Sequence, residues 1–306
     1  MKLVALLLAI IMLIPAALIG GNLILRETTG ADIISTAVYS YWLTEEVDVA
    51  AVCPNAITQQ DMLNTQRRVN DSVTRMIAYS AIDDKFNINF GLEEVNIKNT
   101  LLLTGTEVAS LAQMIIMQED LGQIEIGEGM YIDIQMKSAD FDVVDPYNTR
   151  INAVMSIDVT PLKNSIKASM NGQSAENTDA QTGESTDSEN SGGLNNIVDM
   201  IPDILYISST FILEQTGGFS FNIHHEELIV NDLTNEQTET IFATINLFSG
   251  VGTAEDVNIK IATALATALI GNENERGLAY SLVPLGVTSF DFTSRDGVTY
   301  FTLVQE

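Results

Sequence analysis

The sequence predicts an α+β protein: a single N-terminal transmembrane helix followed by a largely antiparallel sheet packed on amphipathic helices. Three observations carry this expectation. An uncharged apolar run spans Leu3 to Ile24. Several later segments alternate apolar and polar residues with the period of two that turns one face of a strand toward a core. Three Thr-x-x-Asp/Glu/Gln motifs, finally, each open a stretch with apolar residues at helical spacing.

No side chain between Lys2 and Arg26 is charged, and within Leu3–Ile24 only Asn22 is strongly polar. A helix needs ~20 apolar residues to cross a bilayer, so residues 1–26 read as a membrane anchor. A cleavable signal peptide fits the same residues, because a short positive start and an apolar stretch are followed by Ala16, Ala17, Gly20 and Gly21. Signal-peptide cores usually run only ~7–15 residues, which favours retention. The amino terminus and Lys2 stand against Arg26, itself offset by Glu27, so the amino terminus is expected inside. Residues 27–306 then form an extracytoplasmic α+β domain on a single-pass protein of the cell membrane.

Thr58 and Asp61 form a capping-box pattern, and Met62, Val69, Val73, Met76 and Ile77 follow at helical spacing, which predicts a helix from Thr58 to about Ser80. Phe86 to Phe90 alternates as a short strand. Thr104 and Glu107 cap a second helix bearing Val108, Leu111, Ala112 and Ile115 on one side. Met130, Ile132, Ile134 and Met136 share one face of a strand, and Ile151, Ala153, Met155, Ile157 and Val159 repeat the pattern after an Asp145-Pro-Tyr-Asn148 turn. Leu205, Ile207, Phe211 and Leu213 alternate next, and Thr216-Gly-Gly218 turns the chain into Phe219, Phe221 and Ile223. Thr234 and Gln237 cap a helix carrying Ile241, Phe242, Ile245 and Phe248. Thr253 to about Ile270 aligns Val257, Ile261, Leu265 and Leu269, and a hairpin around Arg295-Asp-Gly297 closes the series.

Residues 168–193 break this rhythm. Their only large apolar side chain is Met170, and five acidic residues face no basic one, so nothing in them offsets the entropy of ordering. They read as a disordered acidic insertion loop within the domain.

The charge balance excludes one class of partner. Fourteen Lys plus Arg against 41 Asp plus Glu leave a formal net charge of −27, whereas nucleic-acid binding depends on neutralising phosphates with cations. Cys53 is the one cysteine, so no intrachain disulfide forms, and a buried thiol is the expectation.

No nucleophile elbow, phosphate loop or His-Glu-x-x-His motif is present, and neither catalysis nor a cofactor is expected. His224 and His225 with Glu226 and Glu227 raise a metal site, but neighbouring strand residues point to opposite faces. Asp140, Asp142 and Asp145 lack the glycine and terminal glutamate of a calcium loop. Neither set is taken as a site. Met114, Met117, Met130, Met136 and Met155 are the candidate ligand-binding residues, since flexible thioethers suit a groove for an acyl chain. At this spacing they also suit an ordinary core.

The order from Leu103 to Phe248, with its capped helix, acidic turns, Gly217-Gly218 hairpin and Leu228-Ile-Val-Asn-Asp-Leu-Thr234 lead into a second helix, resembles the bacterial TULIP-like (tubular lipid-binding) membrane-anchored proteins of Gram-positive organisms. The resemblance implies a strongly curved sheet wrapped around a helix and an apolar tube that holds a lipid. It covers about 120 residues and transfers no individual binding residue; the acidic insertion is long for that group, and the chain from Thr253 onward has no counterpart in it. The resulting expectation is a non-catalytic extracytoplasmic binding protein for a lipid or other apolar ligand. The alternative is a structural or interaction module of the cell envelope whose acidic face docks a basic protein partner.

Overall fold

A computed structural model describes residues 47–73, 75–89, 101–118, 123–127, 130–161, 164, 202–249, 252–274 and 277–305. The expected anchor at Leu3–Ile24 and the acidic insertion lie outside the described residues. Among those described, no helix is long and apolar enough to cross a membrane.

A short helix α1 (Val49–Val52), capped by the Asp48 carboxylate, leads to α2 (Gln59–Ser72). The first capping box is formed: Thr58 Oγ1 accepts from the Asp61 N–H at 3.2 Å, and the Asp61 carboxylate accepts from the Thr58 N–H at 2.9 Å. Two N–H groups that a helix start leaves unpaired are thereby satisfied.

Helix α2 stops at Ser72, eight residues short of the sequence expectation. Val73 is extended, Arg75 takes φ 64°, and the Asn70 side chain then captures the returning chain. Its Oδ1 accepts from the Ile77 N–H at 2.9 Å, and its Nδ2 donates to the Ile77 carbonyl at 2.7 Å. One amide thus supplies both bonds a strand neighbour would offer, and Ile77–Ser80 becomes β1, paired with β2 (Lys85–Ile88). Met76 and Ile77 are still buried, but on this hairpin and not on a helix stripe.

Strand β3 (Leu102–Thr104) runs through the second capping box into α3 (Gly105–Gln118). Strands β4 (Gln123–Gly127), β5 (Met130–Val143), β6 (Asn148–Asp158), β7 (Ile204–Gly217) and β8 (Ser220–Val230) then form an antiparallel meander in chain order. Asp145 builds the β5–β6 turn by accepting from the N–H groups of Tyr147 and Asn148. The β7–β8 turn uses Gly217 and Gly218 at φ 128° and 58°, backbone conformations a Cβ disfavours. Helices α4 (Asn235–Ser249), α5 (Ala254–Leu269) and α6 (Leu278–Ser281) follow, and β9 (Val287–Arg295) and β10 (Val298–Gln305) make the closing hairpin.

The structure is α+β and antiparallel as expected, but the strands do not form one sheet. Among the described residues they divide into the β1–β2 hairpin, a three-stranded sheet ordered β3-β10-β9 and the five-stranded meander. Phe301 of β10 pairs opposite Leu103 of β3, and both side chains are fully buried in the same core. The hairpin therefore closes on the strand that feeds α3 instead of extending the meander.

A bulge at Lys137 redirects β5. Met136 pairs with Met155 but Ser138 with Val154, so Lys137 is the extra residue. The freed Met136 N–H is taken by Gln113 Oε1 of α3 at 2.7 Å. Inward-facing positions shift from even to odd numbers, and Met136 and Ala139 both join the cluster with Ala109 and Ala153. Ser138 turns to the opposite face, where its Oγ accepts from Cys53 Sγ at 3.5 Å. Cys53, with Val47 and Val52, covers Val154 and Tyr206 there, so the meander is covered in part on both sides. Helices α3 and α5 lie on its main core face, α3 against β5 and α5 against β7 and β8.

Candidate functional site: an apolar crevice between two helices

Where α3 and α5 lie side by side on the meander, they leave a crevice. One wall is Val108, Leu111, Ala112 and Ile115 of α3, residues spaced three and four apart on one helix face. Leu265, Ala266, Ala268 and Leu269 of α5 form the other. Met136, Ala139, Ile151, Ala153 and Phe211 make the floor, and Leu278 completes the lining. Small side chains on both walls and the floor, at Ala112, Ala139, Ala153, Ala266 and Ala268, create the space that larger residues would fill.

All fourteen of the described lining residues are apolar, so a polar ligand seated here would lose its water hydrogen bonds without replacement. Only apolar surface is stabilised by such walls, at about 25 cal/mol per Å² removed from water. The crevice holds ≈ 40 Å³, whereas an apolar cavity of ~150 Å³ admits benzene. An acyl chain therefore requires α3 and α5 to part.

The five predicted methionines are distributed unevenly around this space. Met136 lines the crevice, and Met155 packs beside it against the Ala109, Met136, Ala139 and Ala153 cluster. Met114 is fully buried in the main core. Met117 is half-buried near the end of α3, apart from the crevice lining. The side chain of Met130 lies outside the described residues. Of the five predicted methionines only Met136 lines the crevice among the described residues; the alanines that make its space, Ala112, Ala139, Ala153, Ala266 and Ala268, come from four separate elements, and no local pattern marks where they coincide.

The polar clusters resolve differently. His224 and His225 face opposite sides of β8: His224 Nε2 meets Glu214 at 3.0 Å, and His225 Nδ1 meets Asn258 of α5 at 2.7 Å. Among the described residues, no three His, Cys, Asp or Glu side chains converge as a metal site would need. Asp142 and Glu226 instead share Arg150, whose Nε and one Nη donate to the two Glu226 oxygens at 2.6 and 2.9 Å.

Those two hydrogen bonds, aided by the guanidinium charge, hold the Glu226 carboxyl below the usual carboxylate range. A folded-state value below the unfolded one stabilises the protein above the unfolded pKa, and that contribution disappears as pH falls through the folded value. Glu226→Gln is accordingly expected to lower stability slightly near neutral pH and not at all in strong acid. Because the pair is partly exposed, added salt should shrink the difference. Urea unfolding of both proteins across that pH range checks it, and an equal deficit at both ends would contradict it.

No protein family, curated protein or solved structure matches this chain.

Proposed function

We propose that this chain is a membrane-anchored, extracytoplasmic binding protein without catalytic activity, and that the crevice between α3 and α5 seats a lipid or other apolar ligand. The observation that carries this reading is the wholly apolar lining between two helices that share a sheet as their common floor. The chain-order meander with α3 on its face is in keeping with the TULIP-like resemblance, in which a curved sheet wraps a helix. The uncharged run Leu3–Ile24 would hold such a seat close to the bilayer from which its ligand comes.

The test is photo-crosslinking of the full chain with a long-chain fatty acid bearing a diazirine, followed by peptide mapping. Label is expected on residues 108–115 and 265–269. Ala112→Val narrows the crevice from the half-buried edge of α3 and should cut that label several-fold while the thermal midpoint changes little. Label confined to residues 1–26, or unchanged by the narrowed crevice, would remove the proposal.

The small volume favours a second reading, an interaction module of the cell envelope with a closed core. Its net charge of −27 would then dock a basic protein. That partner should co-purify at low salt and dissociate as salt screens the contact, with no crevice label in the same preparation.

A further inference from the structure

Asn258 is 0 % exposed, yet it sits on the apolar stripe of α5 among Val257, Ile261 and Ala262. Its amide is fully engaged with the meander. Nδ2 donates to the Thr210 carbonyl at 2.8 Å and to His225 Nδ1 at 2.7 Å, and Oδ1 accepts from Ser209 Oγ. The Thr210 carbonyl can only accept, which fixes Nδ2 as the donor; His225 Nδ1 must then be an acceptor, and its ring carries its proton on Nε2. The cluster lies where the β7–β8 register shifts, with Glu226 as the extra residue between Thr210 and Phe211 pairing. A ladder interruption leaves backbone groups for a side chain to take, and Asn258 takes one.

Directional bonds specify one placement of a helix in a way that apolar contacts do not. Leu265 lies seven residues further on, two helical turns or ~10 Å along the axis. There α5 meets the crevice through Leu265, Ala266, Ala268 and Leu269. Helix α6 is tied to its end by the Tyr280 N–H on the Ile270 carbonyl, so it travels with it and carries Leu278.

We infer that Asn258 is a latch on which α5 pivots, and that its hydrogen bonds to Thr210, Ser209 and His225 set how readily the crevice opens to an apolar ligand. This rests on the crevice being the ligand seat. A closed state that must open before binding lowers the apparent affinity by its own population. Weakening the latch therefore makes the protein less stable and the crevice more receptive, a pairing that a merely structural residue would not produce. The charged neighbours of Asn258 on its own helix, Glu255, Asp256 and Lys260, lie on the exposed face and do not take its place.

The experiment compares the full chain with Asn258→Ala, and with Ser209→Ala as a milder variant in case the first does not fold. Amide hydrogen exchange and fatty-acid photolabelling are measured on each. In Asn258→Ala the amides of residues 262–269 should exchange at least tenfold faster, beyond any change in β6 and β7, and crevice label should accumulate several-fold faster. Ser209→Ala should move both readouts in the same direction by less. Exchange that rises equally in α5 and the sheet would overturn the latch, as would labelling that is unchanged or slower. Faster α5 exchange with no crevice label in any of the proteins would keep the pivot and remove the ligand seat. Crevice label that is identical in all three would keep the seat and remove the latch.

Discussion

Phe301→Ala is expected to cost about 3–5 kcal/mol of stability, the usual range for emptying a buried phenylalanine site. Phe301 is 0 % exposed on the central strand of the three-stranded sheet. Its ring stacks against Phe290 at 5.9 Å and meets Phe292 edge-on at 5.4 Å. Phe292 in turn meets Phe141 of β5 edge-on at 5.1 Å, so the aromatic series links the three-stranded sheet to the meander. Strands on both sides of β10 hold the site open, which leaves little room to collapse into the cavity. Edge-to-face pairs add about 0.5–1.5 kcal/mol beyond the area they bury, and truncation forfeits these as well. Urea unfolding followed by circular dichroism measures the loss. Val298→Ala, at the exposed end of the same strand, should stay within about 0.5 kcal/mol. A Phe301→Ala loss no larger than that would mean the two sheets do not share a core.

Gly105→Ala should destabilise where helix propensity alone says the reverse. In a helix, alanine exceeds glycine by about 0.8–1 kcal/mol, so a neutral reading of α3 recommends the change. At Gly105, however, a Cβ would stand 2.0 Å from the Ala139 carbonyl oxygen and 2.8 Å from its carbon. Those are backbone atoms of a strand paired within the meander, and they cannot swing aside as a side-chain tip would. Helix α3 must lift from β5, and overpacking of this kind costs about 1–3 kcal/mol, on occasion more. Lifting α3 also widens the crevice at the Ala139 floor, so fatty-acid label on 108–115 should change together with stability. A thermal midpoint above that of the parent would show that α3 does not approach β5 so closely.

The readable parts of this fold are those decided within a few residues. The Thr58, Thr104 and Thr234 caps all form their bonds, because each box needs only its own four residues. Hairpins at Gly217-Gly218 and Asp296-Gly297 are likewise local. Misreadings arise where a distant group overrides a local pattern. Asn70 ends α2 by bonding Ile77, which the helical spacing of Met76 and Ile77 conceals. Gln113 takes the Met136 N–H at the β5 bulge, and no feature of the strand itself announces that partner. The division into separate sheets depends on Leu103 and Phe301 sharing a core, a fact of tertiary packing. The crevice is the hardest to read, since alternation shows which side chains face inward but not where alanines from four elements coincide.

The β3–β10 pairing also governs timing. Leu103 and Phe301 lie opposite one another although nearly two hundred residues of chain separate them. At synthesis rates of about 5–20 residues per second, β3 waits on the order of ten to forty seconds for the strand that completes its ladder. Throughout that interval Leu103 lacks its Phe301 cover, and a strand edge with unpaired backbone groups stays open to other chains. Slow, non-local closure of this kind makes the nascent protein most prone to aggregation before its closing hairpin arrives.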